Sequence, residues 1–254
     1  MLNKVKRFTL LGLLVAGTTL AFTGCGTTSQ QNTQTAQAIA SWSETFDGAT
    51  TNFSVSAPPT HAVSMSQATT EMMLQLGLAD KMAGTAFKEE EIYEPLQGEY
   101  DKVKVLAEKW PSYEVFMSVK PDFATGWPDS FSKRAIPADK MIANKVNIWL
   151  PESMLSTKAD LETNFKDMIM LGKIFGVESK ANEWVKAQRD TLTKVQNQLK
   201  DVPRKRVFIY DSEDGQPFTA FEGYTTNILR LIGADNVMSG LGVDKTWAKG
   251  SWET

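Results

Sequence analysis

The chain has 254 residues, 42% hydrophobic and 22% charged, a globular balance that excludes a disordered, collagen-like or multi-span membrane protein and allows one large domain or two modest ones. Its formal charge of −3, from 27 basic and 30 acidic side chains, has the wrong sign for neutralising nucleic-acid phosphates. One Cys and one His exclude a disulfide framework, a Cys/His zinc cluster and most nucleophile-plus-His catalytic designs.

Met1 to Arg7 carries Lys4, Lys6 and Arg7 with no acid, and a mostly apolar run follows from Phe8 to Phe22. These are the n- and h-regions of a secretion signal, too short and too diluted by Thr and Gly to span a membrane. Phe22-Thr23-Gly24-Cys25 resembles the lipobox of bacterial lipoproteins, in which the signal is cut before the Cys and the Cys is acylated. Phe22 departs from the Leu usual at that place, and an ordinary signal with an incidental Cys is the alternative. Cleavage makes the chain more acidic by three charges. Residues 26 to 40 hold Thr, Gln, Ser, Asn and Ala with almost no large apolar side chain, so a flexible tether is expected. The expected organisation is a signal over 1–24, an acylated Cys25 and tether over 25–59, a first α/β lobe over 60–176, a connecting helix over 177–201 and part of a second lobe over 202–254.

From Thr60 the pattern alternates. His61 to Met65 reads as a strand, and Ala68 to Leu78 as a helix with Met72, Met73 and Leu76 at helical spacing before Gly77. Lys81 to Phe87 and Lys102 to Leu106 are further strands. Ser112 caps a short helix through Val119, Asp122 to Gly126 is a strand entering a loop at Trp127-Pro128, and Val146 to Leu150 is the next strand. This order favours a mostly parallel sheet covered by helices. Helical patterns then run over Thr157 to Phe175 and, after Gly176, over Glu178 to Lys200, before Pro203 and a strand from Arg206 to Tyr210. The long helix reads either as a rigid connector between two α/β units or as one more helix packed on a single sheet.

The blocks His61-Ala-Val-Ser-Met-Ser-Gln-Ala-Thr-Thr-Glu71 with Leu74-Gln-Leu-Gly-Leu78, and Glu114-Val-Phe-Met-Ser-Val-Lys-Pro-Asp122, resemble substrate-binding proteins of ABC importers for ferric siderophores and vitamin B12. The similarity extends through the long helix, the strand Arg206 to Tyr210, the segment Asn227 to Val237 and the closing Ser251-Trp252-Glu253. It implies two α/β lobes joined by one long helix, with ligand held in the cleft between them. The family's second lobe continues well past the segment matching Glu253, so a C-terminally truncated second lobe is expected.

By that resemblance Glu114 and Glu253 match the two glutamates that dock on arginines of the membrane permease, where exposed carboxylates fix orientation at little cost to stability. Glu114 also reads as a helix-dipole acid in a first turn. Trp127 stands where vitamin B12 binders carry Trp, at a strand end facing the cleft. Phe131 and Arg134 follow it, and an Arg beside aromatics suits an anionic or oxygen-rich metal chelate. Trp110, Phe87, Phe221, Tyr224 and Trp247 are second-rank lining candidates, each equally compatible with ordinary packing.

His61 reads as structural, and one His cannot supply the ligand set of relatives that carry bare metal ions. No cofactor or protein-held metal is expected, since a chelate brings its own metal ligands. Gly-x-Ser-x-Gly and phosphate-binding Gly-rich loops are absent from the sequence. Asp211, Glu213 and Asp214 read as a solvated acidic turn. The expected function is capture of a ferric siderophore by a monomeric surface lipoprotein and delivery to an ABC permease. Corrinoid or haem binding is the first alternative, and a carbohydrate-active or scaffolding lipoprotein the second.

Overall fold

Asp47 and Gly48 both take positive φ, 48° and 79°, which makes them the two central residues of a tight hairpin turn. A computed structural model describes residues 37–253, and this turn joins its first two strands, β1 (Ala40–Phe46) and β2 (Ala49–Val55). They pair antiparallel with Phe46 opposite Ala49. The expected tether over 25–59 is thereby corrected: its second half is a hairpin. It folds because alternate side chains turn inward. Trp42 stacks on Phe53 at 5.8 Å, and its indole N–H donates to the Ile148 carbonyl at 2.7 Å. The signal segment and Cys25 lie outside the described residues.

The first lobe is a parallel sheet built from β3 (Ala62–Met65), β4 (Met82–Ala86), β5 (Val105–Ala107), β6 (Phe123–Gly126) and β7 (Asn147–Trp149). Their order is β5-β4-β3-β6-β7, every pair parallel. Four short or medium helices connect them: α1 (Gln67–Gln75), α2 (Gln97–Tyr100), α3 (Tyr113–Ser118) and α4 (Ala138–Ala143). Strand β3 is buried on all four residues, as a central parallel strand covered on both faces must be. The Asp122 carboxylate, just before β6, accepts the backbone N–H groups of Thr60 at 2.8 Å and His61 at 3.0 Å and so holds the entry of β3 beside it. His61 itself is exposed, at the opposite end of β3 from α1, with its ring 3.0 Å from the Thr60 hydroxyl.

Helix α5 (Leu161–Ile174) starts later than the expected Thr157, because Asp160 and Thr163 cap it reciprocally. Helix α6 (Glu178–Leu199) matches the expected connector and is 22 residues long. A Cβ on Gly172 of α5 would lie 2.6 Å from that of Ala181, so this glycine permits the close approach of α5 and α6.

Beyond α6 the elements are short: β8 (Lys205–Val207), β9 (Ser212–Glu213), β10 (Pro217–Ala220), α7 (Tyr224–Leu231), β11 (Ala234–Asn236) and β12 (Trp247–Lys249). Strands β8 and β11 form a parallel pair, while β12, β10 and β9 form an antiparallel sheet. The strand expected over Arg206 to Tyr210 is shorter and begins one residue earlier.

Candidate functional site

The C-terminal ends of β3 and β4 are tied to the start of α1 by hydroxyls. Ser66 caps the helix through the Thr69 N–H. Thr70 donates to the Ser66 carbonyl at 2.8 Å and lies 2.6 Å from the Thr85 hydroxyl on β4, and Ser64 lies 2.7 Å from the Thr69 hydroxyl. All five side chains are buried, so the network fixes the helix rotation by mutual satisfaction. That rotation presents Ala68, Glu71, Met72 and Gln75 to a cavity of about 590 Å³.

Gln67, beside the cap, organises the loop after β4. Its amide oxygen accepts the N–H groups of Glu89 at 2.9 Å and Glu90 at 2.7 Å, and its amide nitrogen donates to the Glu91 carbonyl and to Glu71 Oε1. Glu71 Oε1 also accepts the Tyr93 N–H at 3.2 Å, which brings Tyr93 and Leu96 to the cavity. The Trp127 indole N–H donates to the Glu89 carboxylate at 3.1 Å. Burial raises the Glu89 carboxyl above its ordinary pKa, against the lowering effect of that indole bond.

The opposite wall rests on Asp167 of α5. Its buried carboxylate accepts the N–H groups of Glu152 and Ser153, each at 2.9 Å, and so holds Ser153 and Met154 against the cavity. Burial pushes this carboxyl up as well. Leu161, Asn164, Phe165 and Met168 of α5, with Trp184 and Gln188 of α6, continue the wall. Tyr224, Thr225 and Trp247 complete it from the second lobe. The Asn227 amide of α7 donates to the Ala159 carbonyl at 2.7 Å, tying the two sides together. The volume lies within the range of small-molecule pockets, and the walls are aromatic and methionine-rich.

Of the residues expected at the cleft, Trp127, Tyr224 and Trp247 line this cavity. Phe131 does not: it is 3% exposed and packs in the first-lobe core 6.2 Å from Phe46 of β1. Arg134 does not either, because its guanidinium pairs with Asp129 on the exposed surface. Phe87 and Trp110 stack on each other at 4.7 Å, and the Trp110 indole donates to the Met65 carbonyl, so they support the strand ends rather than line the cavity. Phe221 is buried, with Lys245 over its ring.

Sequence reading missed Glu71, Tyr93, Met154, Phe165 and Trp184. Glu71 and Gln75 stand four apart on α1, a spacing that puts them on one helix face, but nothing in it says that the face is open. Glu114 is exposed in the first turn of α3, where backbone N–H and the Ser112 hydroxyl lower its pKa. Glu253 is exposed in the last described turn. Asp211, Glu213 and Asp214 are all exposed.

Two α/β lobes joined by one long helix, with an aromatic cavity walled by both lobes and by that helix, define a two-lobed solute-binding protein. Residues 63–254 match the family described as periplasmic binding protein, and the chain belongs to that family. A structure of a periplasmic binding protein from Veillonella parvula DSM 2008 is 83% identical, with a TM-score of 0.83 over 85% of this chain and 73% of that one. The chain is also 26% identical over 230 residues to an uncharacterized ABC transporter substrate-binding lipoprotein, YvrC, of Bacillus subtilis strain 168, covering 88% of this chain and 70% of that protein. An Fe3+-hydroxamate transport system structure from Saccharomonospora viridis DSM 43017 shares the fold at 18% identity, with a TM-score of 0.67 over 84% of this chain and 74% of its own. The family is one of binding proteins in general, not of catalysts. Among the described residues, no helix is long and apolar enough to cross a membrane.

Proposed function

We propose that this chain is an extracytoplasmic lipoprotein, anchored through Cys25, that captures a metal chelate, foremost a ferric siderophore, and delivers it to an ABC permease. The observation that carries the reading is the cavity of about 590 Å³, walled by Trp127, Trp184, Trp247, Tyr224 and three methionines from both lobes and the connector. Such a wall takes the apolar backbone of a large organic chelate, while the chelate supplies its own metal ligands. The likeness to a protein of Fe3+-hydroxamate transport supports the same class. Residues 60–176 and 202–254 then act as the two lobes, with α6 limiting how far they close.

The test is quenching of tryptophan fluorescence by a panel of ferric hydroxamates, ferric catecholates, corrinoid and haem, since Trp127, Trp184 and Trp247 all line the cavity. At least one ferric chelate quenches at micromolar concentration or below, and Trp127→Ala weakens its binding about tenfold, ~1.4 kcal/mol. Quenching by haem or corrinoid alone replaces the ligand class, and silence across the panel refutes the reading. Glu114 and Glu253 are the proposed docking carboxylates, one at a helix start in the first lobe and one in the second. Glu114→Ala lowers uptake in cells and leaves chelate affinity unchanged; unaltered uptake removes Glu114 from the docking surface.

A further inference from the structure

We infer that the cavity selects ligands of net positive charge, pairing a cationic group with the Glu71 carboxylate inside the aromatic wall. This rests on the solute-binding reading above and names the charge class of its ligand. Among the described residues that line the cavity, Glu71 is the one charged side chain. Its Oε1 is held by the Gln67 amide at 2.9 Å and the Tyr93 N–H at 3.2 Å. Its Oε2 accepts no hydrogen bond, and the carboxylate forms no ion pair, among the described residues. One oxygen is thus fixed in place while the other keeps its accepting capacity.

The surroundings favour the same sign. Trp127, Trp184, Trp247, Tyr93 and Tyr224 line the cavity, and aromatic faces attract cations through their quadrupoles. Beside it, Gln67 carries the loop of Glu89, Glu90 and Glu91, in which Lys88 is neutralised by Glu91 at 3.3 Å. The arginines near the walls are committed elsewhere: Arg189, next to Gln188, pairs with Glu162 over the Phe165 ring, and Arg134 pairs with Asp129. An anionic chelate would therefore enter without a lining lysine or arginine and would face a like charge, which is discrimination by repulsion as well as attraction.

The experiment uses the full chain and one ferric linear trihydroxamate in three forms that share the same iron core. In one the terminal amine is free and the complex cationic, in the second it is acetylated and the complex neutral, and in the third it is succinylated and the complex anionic. Tetraethylammonium serves as a metal-free cationic probe. By tryptophan fluorescence, the cationic complex binds about tenfold or more tighter than the anionic one, ~1.4 kcal/mol, with the neutral form between them. Raising salt narrows that spread. Glu71→Gln keeps the Oε1 acceptor and brings the three forms within about twofold of one another. Equal or tighter binding of the neutral or anionic complex overturns the inference, and this arm needs no variant. A preference that survives in Glu71→Gln overturns it too. If tetraethylammonium binds in a Glu71-dependent way and no chelate does, the chelate reading fails and charge selection stands. If no probe binds, both fail.

Discussion

The first lobe and the segment after α6 are stabilised by different means. The two clusters of buried apolar side chains are drawn wholly from residues 39–185, with Phe116, Phe123 and Phe165 at 0% exposure. After residue 201, Ala220, Phe221, Ala234 and Met238 are the buried apolar residues, while Phe208, Tyr210, Leu241, Val243 and Trp252 are exposed. Polar ties take over there. The Asn236 amide donates to the Ala220 carbonyl and the Thr226 hydroxyl, and Glu222 accepts the Gly240 N–H at 2.7 Å while pairing with Arg230. One wall of the cavity is therefore set by dense packing, and the other, bearing Tyr224 and Trp247, by hydrogen bonds that open locally at lower cost.

Substitutions in the two regions separate these regimes most strongly. Phe123 lies on β6 between Trp42 at 6.4 Å and Phe175 at 5.1 Å, so Phe123→Ala removes contacts on several sides. It costs about 3 to 5 kcal/mol. Phe208, 37% exposed, gives less than about 1 kcal/mol on the same change. Urea unfolding of both variants measures this, and similar losses would erase the contrast.

The packed lobe is also the part whose plan the residues reveal. Apolar runs of strand length alternating with capped helices predict its parallel sheet, and the Ser66 to Glu71 and Lys120-Pro121-Asp122 blocks have structural work visible afterwards. Ser66 and Thr70 lock α1 to β3 and β4, and Asp122 clamps the entry of β3. The hairpin over Ala40–Val55 is the exception, because its Asp47-Gly48 turn follows a long polar stretch and the whole reads as one continuous tether. The site was less legible because lining depends on which aromatic remains uncovered. Phe131 and Trp127 stand four apart in sequence, yet one is core and the other faces the cavity. Arg134 likewise suggests an anion site only until Asp129 is seen to occupy it.

Within the strong lobe the hairpin carries one ionisable weakness. Glu44 of β1 is 8% exposed, and its Oε1 accepts the Leu150 N–H at 2.9 Å. Burial pushes its carboxyl up to about 7, with the Asp167 charge adding to the shift. The folded state thus keeps a proton that the unfolded chain releases near pH 4.5. Its effect is a loss of stability as pH rises from about 4.5 to about 7, on the order of 3 kcal/mol, with no further change from this group above that window. Glu44→Gln keeps the acceptor and flattens that part of the pH–stability curve. An unchanged slope in urea titrations across the window would assign it to other groups.

The smallest expected effect tests whether polar ties hold the second region. The Arg204 guanidinium grips both oxygens of Asp235, with Nε at 3.1 and 3.0 Å, and donates to the Ala234 carbonyl at 3.0 Å, so it joins the entry of β8 to β11. Both side chains are about half exposed, and solvent screening keeps such a pair weak. Arg204→Ala accordingly moves the global urea midpoint little, and 1 M salt removes most of the difference. Its sharper signature is local. Strands β8 and β11 share just three paired positions, Ala234 with Lys205 through Asn236 with Val207, and few buried side chains support them. Amide exchange at these residues speeds up severalfold in Arg204→Ala, whereas exchange in β3, held by the packed core, stays unchanged. Equal acceleration in both places would mean that the two regions unfold as one unit, and the division between a packed wall and a hydrogen-bonded wall would not hold.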